Sequence, residues 1–413
     1  MNNNTTTSLP ISSKKTKKKH VLKTPELRFS HFDDDWSDVK LKDITSRKKR
    51  KNTNLDSNLV LTISAEHGLI DQEKYFNKSV AGKNLKNYYL LEKGDFAYNK
   101  SYSNGYPYGV VKKLNQYDKG IVSNLYICFK PNENINSTYL EQYFNSSKWN
   151  KEVYKIATEG ARNHGLLNVG INDFFNTKHK IPIIQEQEKI GNFLKEIDTK
   201  IALMEQKQQE LEKFKTGLFQ IFFNMNSNNK WMNYKIKDCI VESTTRNKNK
   251  NNFPVISSTL NGIYLQEEYF NKSVSSSETD NYKIIKKGYF TYRSMSDTGR
   301  FKFNIQDIED IAIVSPAYPV FGVKKFIDPL FFYYYLNHAP FIRKQLLYIK
   351  EGGTRYALSI SKFKKMSVKI PDLPEQKRIV DILSSTDKKI ELTNKQIELM
   401  KDYKKGLLQG MFI

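Results

Sequence analysis

Three residues in "PDLPEQK" (Pro371 to Lys377) have the types needed for chemistry on a phosphodiester. Asp372, Glu375 and Lys377 are the letters of a metal-dependent nuclease signature. In such sites the Asp and the Glu-x-Lys usually lie on separate strands, with more residues between them. Here they open a helix, and an acidic side chain in a first helical turn is favoured by the helix dipole. The stretch has a counterpart 189 residues earlier, "IPIIQEQEKI" (Ile181 to Ile190), where Ile183 replaces Asp372 and Glu188 replaces Lys377. Glu186 and Glu375 therefore read as structural. Other chemistries lack even these letters. "GARNHGLL" (Gly160 to Leu167) is nearest to a phosphate loop, but has no lysine to reach a phosphate. No Gly-rich dinucleotide or S-adenosylmethionine loop follows a strand. The "[ND]PP[FY]" tetrapeptide of an amino-methyltransferase is missing, as are "HExxH" and paired-cysteine spacing. Two cysteines, Cys128 and Cys239, support neither a disulfide framework nor a metal site, and the chain reads as cytoplasmic.

The chemistry that the chain does support is binding. Of 413 residues, 67 are Lys or Arg and 44 are Asp or Glu, a net charge of +23 that favours a polyanionic partner, nucleic acid first. A membrane surface is second, but no basic amphipathic helix stands out, and no apolar run approaches the roughly 20 residues of a span. Base edges are read by Arg or Lys at guanine and by Asn or Gln at adenine. "NKSYSNGYPYG" (Asn99 to Gly109) offers Asn99, Lys100, Tyr102 and Asn104, and "EGARNHG" (Glu159 to Gly165) offers Arg162, Asn163 and His164. Further on, "YRSMSDTGR" (Tyr292 to Arg300) offers Arg293 and Arg300, and "EGGTRYALS" (Glu351 to Ser359) offers Arg355 and Tyr356. The competing reading is a set of ordinary Gly-rich turns. Arg355 stands opposite Arg162 at an offset of 193, and a cationic loop residue kept in both halves favours DNA contact.

The elements that must position these loops come in two copies. "YFNKSV" occurs at Tyr75 to Val80 and again at Tyr269 to Val274, an offset of 194. "WSDVKLKDI" (Trp36 to Ile44) matches "WMNYKIKDC" (Trp231 to Cys239) at 195, and "IVSNLYICF" (Ile121 to Phe129) matches "IVSPAYPVF" (Ile313 to Phe321) at 192. "KFKTGLFQIFF" (Lys213 to Phe223) matches "DYKKGLLQGMF" (Asp402 to Phe412) at 189. Order is kept and the offset drifts slowly, as in one duplicated unit with small loop deletions. Each unit begins with strand and helix patterns, an α+β globule, and ends in a long helix. A stepping by 4 and 3 runs from Ile190 to Phe222 and from Ile379 to Met411, and the seam residues on it are Ile190, Leu194, Ile197, Ile201, Leu211 and Leu218 in the first copy and Ile379, Leu383, Ile390, Ile397, Met400 and Leu407 in the second. That spacing is a coiled-coil seam, predicted over about 35 residues per helix. Lys215 and Lys404 interrupt both seams at the same step, either to specify register or because they lie exposed near the helix ends.

Two variable globules, each followed by a "P-x-x-E-Q-x-x-I"-like motif and a heptad helix ending near "KKGLLQGMF", resemble the specificity subunit of type I restriction–modification systems. The first copy lacks the proline that the second has at Pro374. The resemblance implies two tandem α/β target-recognition domains, each followed by a long helix, with the helices pairing as an antiparallel coiled coil of pseudo-twofold symmetry. Expected boundaries are a disordered basic tail at 1–25, recognition domains at 26–182 and 231–371, spacer helices at 183–223 and 372–413, and a linker at 224–230. It also implies a non-catalytic chain that reads a bipartite site in double-stranded DNA. Two modification subunits and two restriction subunits would assemble on it, and S-adenosylmethionine, ATP and Mg would belong to those partners. Alternatives are the specificity subunit of another bipartite restriction enzyme type, a stand-alone nuclease on Asp372, Glu375 and Lys377, and an RNA-binding scaffold. Because the two globules should read different sequences, the shared YFNKSV is expected to be framework or phosphate-contacting.

Overall fold

A computed structural model describes residues 24–78, 84–102, 105–157, 167–224, 231–248, 252–269, 279–349 and 356–413. The chain forms two compact units. Unit 1 takes residues 1–204 and 396–413, and unit 2 takes residues 205–395.

The two globules repeat one strand plan. In unit 1 a four-stranded antiparallel sheet runs in the order Thr45–Arg47, Ile127–Pro131, Phe96–Asn99, Val110–Lys113. In unit 2 the order is Ile240–Glu242, Val320–Val323, Phe290–Thr291, Asn304–Ile305. The duplication extends to single rings. Phe96 pairs with Phe129 across the sheet with ring centroids 5.4 Å apart, and Phe290 pairs with Phe321 at 5.2 Å. Offset stacks of this kind add about 0.5–1.5 kcal/mol beyond burial alone. Each globule also has a hairpin (Leu61–Ser64 with Gly68–Asp71; Ile256–Thr259 with Gly262–Leu265). Each is closed by its first strand pairing with the strand before the long helix, Ser37–Lys40 with Lys178–Ile181 and Met232–Lys235 with Ser367–Ile370.

The central helix spans Ile184–Phe223 and the C-terminal helix Leu373–Gly410, 40 and 38 residues against the expected 35 or so. Each starts one residue after the expected boundary, within three residues of its closing strand; the central helix ends at the expected Phe223 and the C-terminal one at Gly410, three residues before the expected end. In unit 1, Ile190, Leu194, Ile197 and Ile201 are buried in one cluster with Leu407, Met411 and Phe412. In unit 2, Leu218 and Phe223 share a core with Ile379 and Leu383. Ile390 and Ile397 are also buried, while Leu211 and Met400 are half-buried. Each fully buried Leu or Ile contributes about 1.5–3 kcal/mol over its exposed state.

Direction follows from polar contacts inside each unit. In unit 1, Asp198 meets Lys404, while the segment that bonds to Gly410 through the Leu27 amide also holds Glu186 through Arg28. Moving forward on the central helix is thus moving backward on the C-terminal one. In unit 2, Lys215 meets Asp387, and Phe223 shares its aromatic cluster with Trp231, which bonds Glu375. The helices run antiparallel there too.

The Glu-Gln pair at each helix start has a structural task. Gln187 and Gln376 are buried, and their Oε1 atoms accept from the Asn136 and Asp328 amides, both at 2.8 Å. Their Nε2 groups donate to the carbonyls of Pro182 and Pro371, both at 2.9 Å. Asn136 and Asp328 are in turn the N-caps of the globule helices Ser137–Asn145 and Pro329–His338. One glutamine therefore ties the start of a long helix to the start of a globule helix. Glu186 and Glu375 accept from the Nε1 atoms of Trp36 and Trp231, both at 3.4 Å. Gly191 lies where a Cβ would come within 2.7 Å of the Tyr139 amide nitrogen, so glycine in mid-helix permits the close approach.

Candidate nucleic-acid interface

The candidate loops lie far apart in sequence, and the backbone brings their flanks together in both units. In unit 1 the Leu167 amide donates to the Lys100 carbonyl at 2.9 Å. In unit 2 the Leu358 amide donates to the Ser294 carbonyl at 2.8 Å, and Met295–Ser296 pairs antiparallel with Tyr356–Ala357. Each unit thus joins the loop after its central sheet strand to the loop before its closing elements.

Under these loops is a rigid aromatic floor. Tyr98 is fully buried, stacks on Phe174 at 4.7 Å, meets Trp149 edge-on and donates to the Tyr108 carbonyl at 2.8 Å. In unit 2, Tyr292 packs on Phe303 and Phe363 and donates to the Leu358 carbonyl at 3.2 Å. Burial pushes both phenols well above their ordinary range, so they act as neutral donors. Gly109 closes the first loop with φ +78°, and a Cβ there would lie 2.2 Å from the Asn99 carbonyl oxygen. Only glycine fits that turn. Loops carried on a fixed scaffold are the arrangement expected of a binding surface.

The predicted contact residues fall into three groups. Tyr102, Arg293 and Arg300 are exposed. Asn99, Lys100 and Tyr356 are half-buried. Asn99 Oδ1 accepts from the Ser101 amide at 3.1 Å, and Lys100 Nζ donates to the Val169 carbonyl at 3.3 Å, so both also hold the loop's shape. Asn104, Arg162, Asn163, His164 and Arg355 lie outside the described residues.

In the first copy of the repeated hexapeptide the aromatics are not core framework. Tyr75 and Phe76 are 50% and 45% exposed and pack edge-on against each other at 5.0 Å, on the short helix Gln72–Phe76. Residues 79 and 80, and 270–274 of the second copy, lie outside the described residues.

The nuclease letters are dispersed into helix-start contacts. Asp372 Oδ1 accepts from the Glu375 amide at 3.0 Å, and Glu375 Oε1 faces Trp231. No group of three or more metal-ligating side chains occurs among the described residues. What reasoning on sequence missed is a second polar station, Asp198 and Asp387. Their signal was the offset of 189 that they share with Lys404 and Lys215.

A profile of the family described as "Type I restriction modification DNA specificity domain" matches residues 33–213 and 228–401, and the chain belongs to that family. The putative type I restriction enzyme MjaX specificity subunit of Methanocaldococcus jannaschii is 29% identical over 164 residues, 34% of this chain and 37% of the relative. The type I restriction enzyme MjaVIII specificity subunit of the same organism is 34% identical over 89 residues, 21% of this chain and 20% of the relative. The matches span well under half the length of these curated relatives. Among solved structures, the type I restriction–modification S subunit from M. genitalium covers 94% of this chain with 99% of its own, at 14% identity and a TM-score of 0.55. A chain from work on complex assembly and conformational transition of the type I R-M system covers 90% with 96% of its own, at 14% identity and a TM-score of 0.52. At such identities the likeness is one of fold.

Proposed function

We propose that this chain is the DNA-reading subunit of a type I restriction–modification complex and catalyses nothing itself. The observation that carries the reading is the paired loops on a rigid floor, present once in each of two globules that share long helices. A net charge of +23 supplies sequence-independent attraction to phosphate. Two different loop pairs would then read the halves of a split site, and the helices would fix their separation.

The test is methylome sequencing of cells expressing the chain with its modification partner. A split adenine-methylated site is expected, while the purified chain alone should neither cut nor methylate DNA. Arg293→Ala combined with Arg300→Ala should relax or weaken one half-site only, by about 1–3 kcal/mol for each base no longer read. Equal weakening on all sequences would move these arginines to phosphate contact. Metal-dependent cleavage by the pure chain, abolished by Glu375→Ala, would overturn the reading in favour of a nuclease.

Two copies of the modification subunit are supported by a repeated surface. Unit 1 exposes Leu203 of the central helix and Tyr403 of the C-terminal helix, and unit 2 exposes their counterparts Leu392 and Phe214. All four are more than half exposed, and Ile221 and Leu399, one heptad beyond Phe214 and Leu392, extend the exposed apolar stripes in the way that marks contact surfaces. Leu392→Glu with Phe214→Glu should leave a complex carrying one modification subunit in place of two, as read by native mass spectrometry. Two subunits still bound would remove this surface from the assembly.

A further inference from the structure

Each unit contains the same three-way junction, and its members come from three different elements. In unit 1, Asp198 of the central helix accepts from Lys404 of the C-terminal helix at 2.5 Å. Its other oxygen accepts from Gln142 Nε2, on the globule helix, at 2.8 Å. In unit 2, Asp387 of the C-terminal helix pairs with Lys215 of the central helix, and its other oxygen accepts from the Tyr334 hydroxyl, on the globule helix, at 2.6 Å. Asp198 and Asp387 are counterparts at the offset of 189, as are Lys215 and Lys404. Gln142 and Tyr334 are counterparts at 192, the offset found in the neighbouring strands.

The chemistry of the junction is kept in both copies while its globule member differs. Gln142 and Tyr334 are buried, at 2% and 4% exposure. A second lysine, Lys112 or Lys302, sits beside each pair, and burial, then the neighbouring Lys404 or Lys215, lowers its proton affinity. An isolated surface ion pair gives little. A carboxylate that spends one oxygen on the partner helix and the other on the globule fixes an angle, because a hydrogen bond weakens steeply away from linearity. The glutamine tie already holds each globule at the helix start. The Trp–Glu contact and the closing strand act at that same end, so a junction 11 residues further along the helix resists tilting over a longer lever.

We infer that Asp198 and Asp387, with Gln142 and Tyr334, are positioning residues that set each globule's angle on the long helices and thereby restrict the gap lengths accepted between half-sites. This rests on the proposed DNA-reading role, and the residues need not touch DNA. Lys215 and Lys404 are on this view the register keys of the seam, not residues left over at exposed helix ends.

Tyr334→Phe gives the sharpest test, because it removes the globule's bond and leaves the Lys215–Asp387 pair. The chain would be assembled with its modification partner. Methylation would be followed on duplexes carrying the half-sites of the unsubstituted complex at gaps one base pair shorter and longer. Methylation at these gaps should rise by roughly tenfold relative to the preferred gap, with both half-site sequences unchanged. Asp387→Asn should do the same with a lower melting temperature. A gap profile identical to that of the unsubstituted complex in both variants would overturn the inference, and so would a changed half-site sequence.

A DNA-independent measurement separates this idea from the functional reading. Spin labels at Asn261→Cys on the unit 2 hairpin and Lys388→Cys on the C-terminal helix report the globule-to-helix distance. Tyr334→Phe should broaden that distribution, and an unchanged distribution would sink the positioning role even if no split site is ever methylated.

Discussion

Adding seven residues to both long helices, between Met204 and Gln208 and between Thr393 and Ile397, is expected to widen the gap between half-sites by about three base pairs. One heptad keeps the apolar seam in step. It lengthens each helix by about 10 Å at 1.5 Å per residue, and DNA rises about 3.4 Å per base pair. Both insertions are needed, since the central helix contributes to unit 1 before Met204 and to unit 2 after it, and the C-terminal helix does so in reverse. The half-site sequences should stay as they are, because no recognition loop has moved. The extra length also turns one half-site about the duplex by about a quarter of a turn or more. Methylation at the original gap should therefore disappear, and the new site should be modified less efficiently. Methylome sequencing of the insertion variant decides the matter. The original gap at full activity would show that the helices do not measure DNA.

The second large effect is a loss of stability in mild acid. His179 is buried in unit 1, and its ring is fixed on both sides. Thr177 spends its hydroxyl proton on the Phe174 carbonyl at 2.6 Å, so its oxygen accepts from His179 Nε2 at 2.7 Å. Nδ1 must then accept from the Tyr143 hydroxyl, also at 2.7 Å. This is a neutral imidazole with no room for a second proton. Burial pushes its pKa down to about 4, against an ordinary 6.5. Between those values the unfolded chain binds a proton that the folded chain refuses, so stability rises with pH across the window and falls as pH drops from about 6.5 to about 4. The full effect is about 3 kcal/mol. His338 in unit 2, pushed down to about 4 by burial and then by Lys302 and Lys215, acts in the same direction. Carboxylates held low, such as Glu92 beside Lys48, begin to lose their contribution only as pH falls through their ordinary value of 4.5, at the foot of this window. Denaturant midpoints at pH 7 and pH 4.5 would measure the difference. His179→Gln should be less stable at pH 7 but flatter with pH, and an unaltered slope would place the acid sensitivity elsewhere.

Periodic features were readable in the residues alone, and those depending on a remote partner were not. The seam at Ile190, Leu194, Ile197 and Ile201 announces itself because a helix that buries one face must repeat every 3.5 residues. The duplication was visible because drift in the offset is slow. The Glu-Gln motif was visible too, but its task was not. Gln187 and Gln376 act on amides 51 and 48 residues away, at Asn136 and Asp328, and nothing local marks those partners. YFNKSV shows the opposite case. Identity between copies signalled importance, but a match carries no information on which way Tyr75 and Phe76 face. For the candidate loops, composition singled out Asn99–Gly109 and Glu159–Gly165, whose flanks meet at Lys100 and Leu167. Single residues could not be ranked, because Lys100 serves the loop's own backbone as readily as it would serve a base.

Phe412 is fully buried against Tyr139 and Tyr143 in unit 1, beside Met411 and Leu407. This gives the chain an unusual order of maturation on the ribosome. Unit 2 is one continuous stretch, 205–395, whereas unit 1 draws on residues 396–413. The first globule emerges first, yet it lacks rings and aliphatic side chains of its own core until some 209 further residues have been made, roughly 10–40 s at ordinary elongation rates. Through that interval the part of this cluster that Leu407, Met411 and Phe412 supply is missing, and the gap is a natural client for chaperones. A stop codon just before Leu407 would thus damage the half of the protein encoded first.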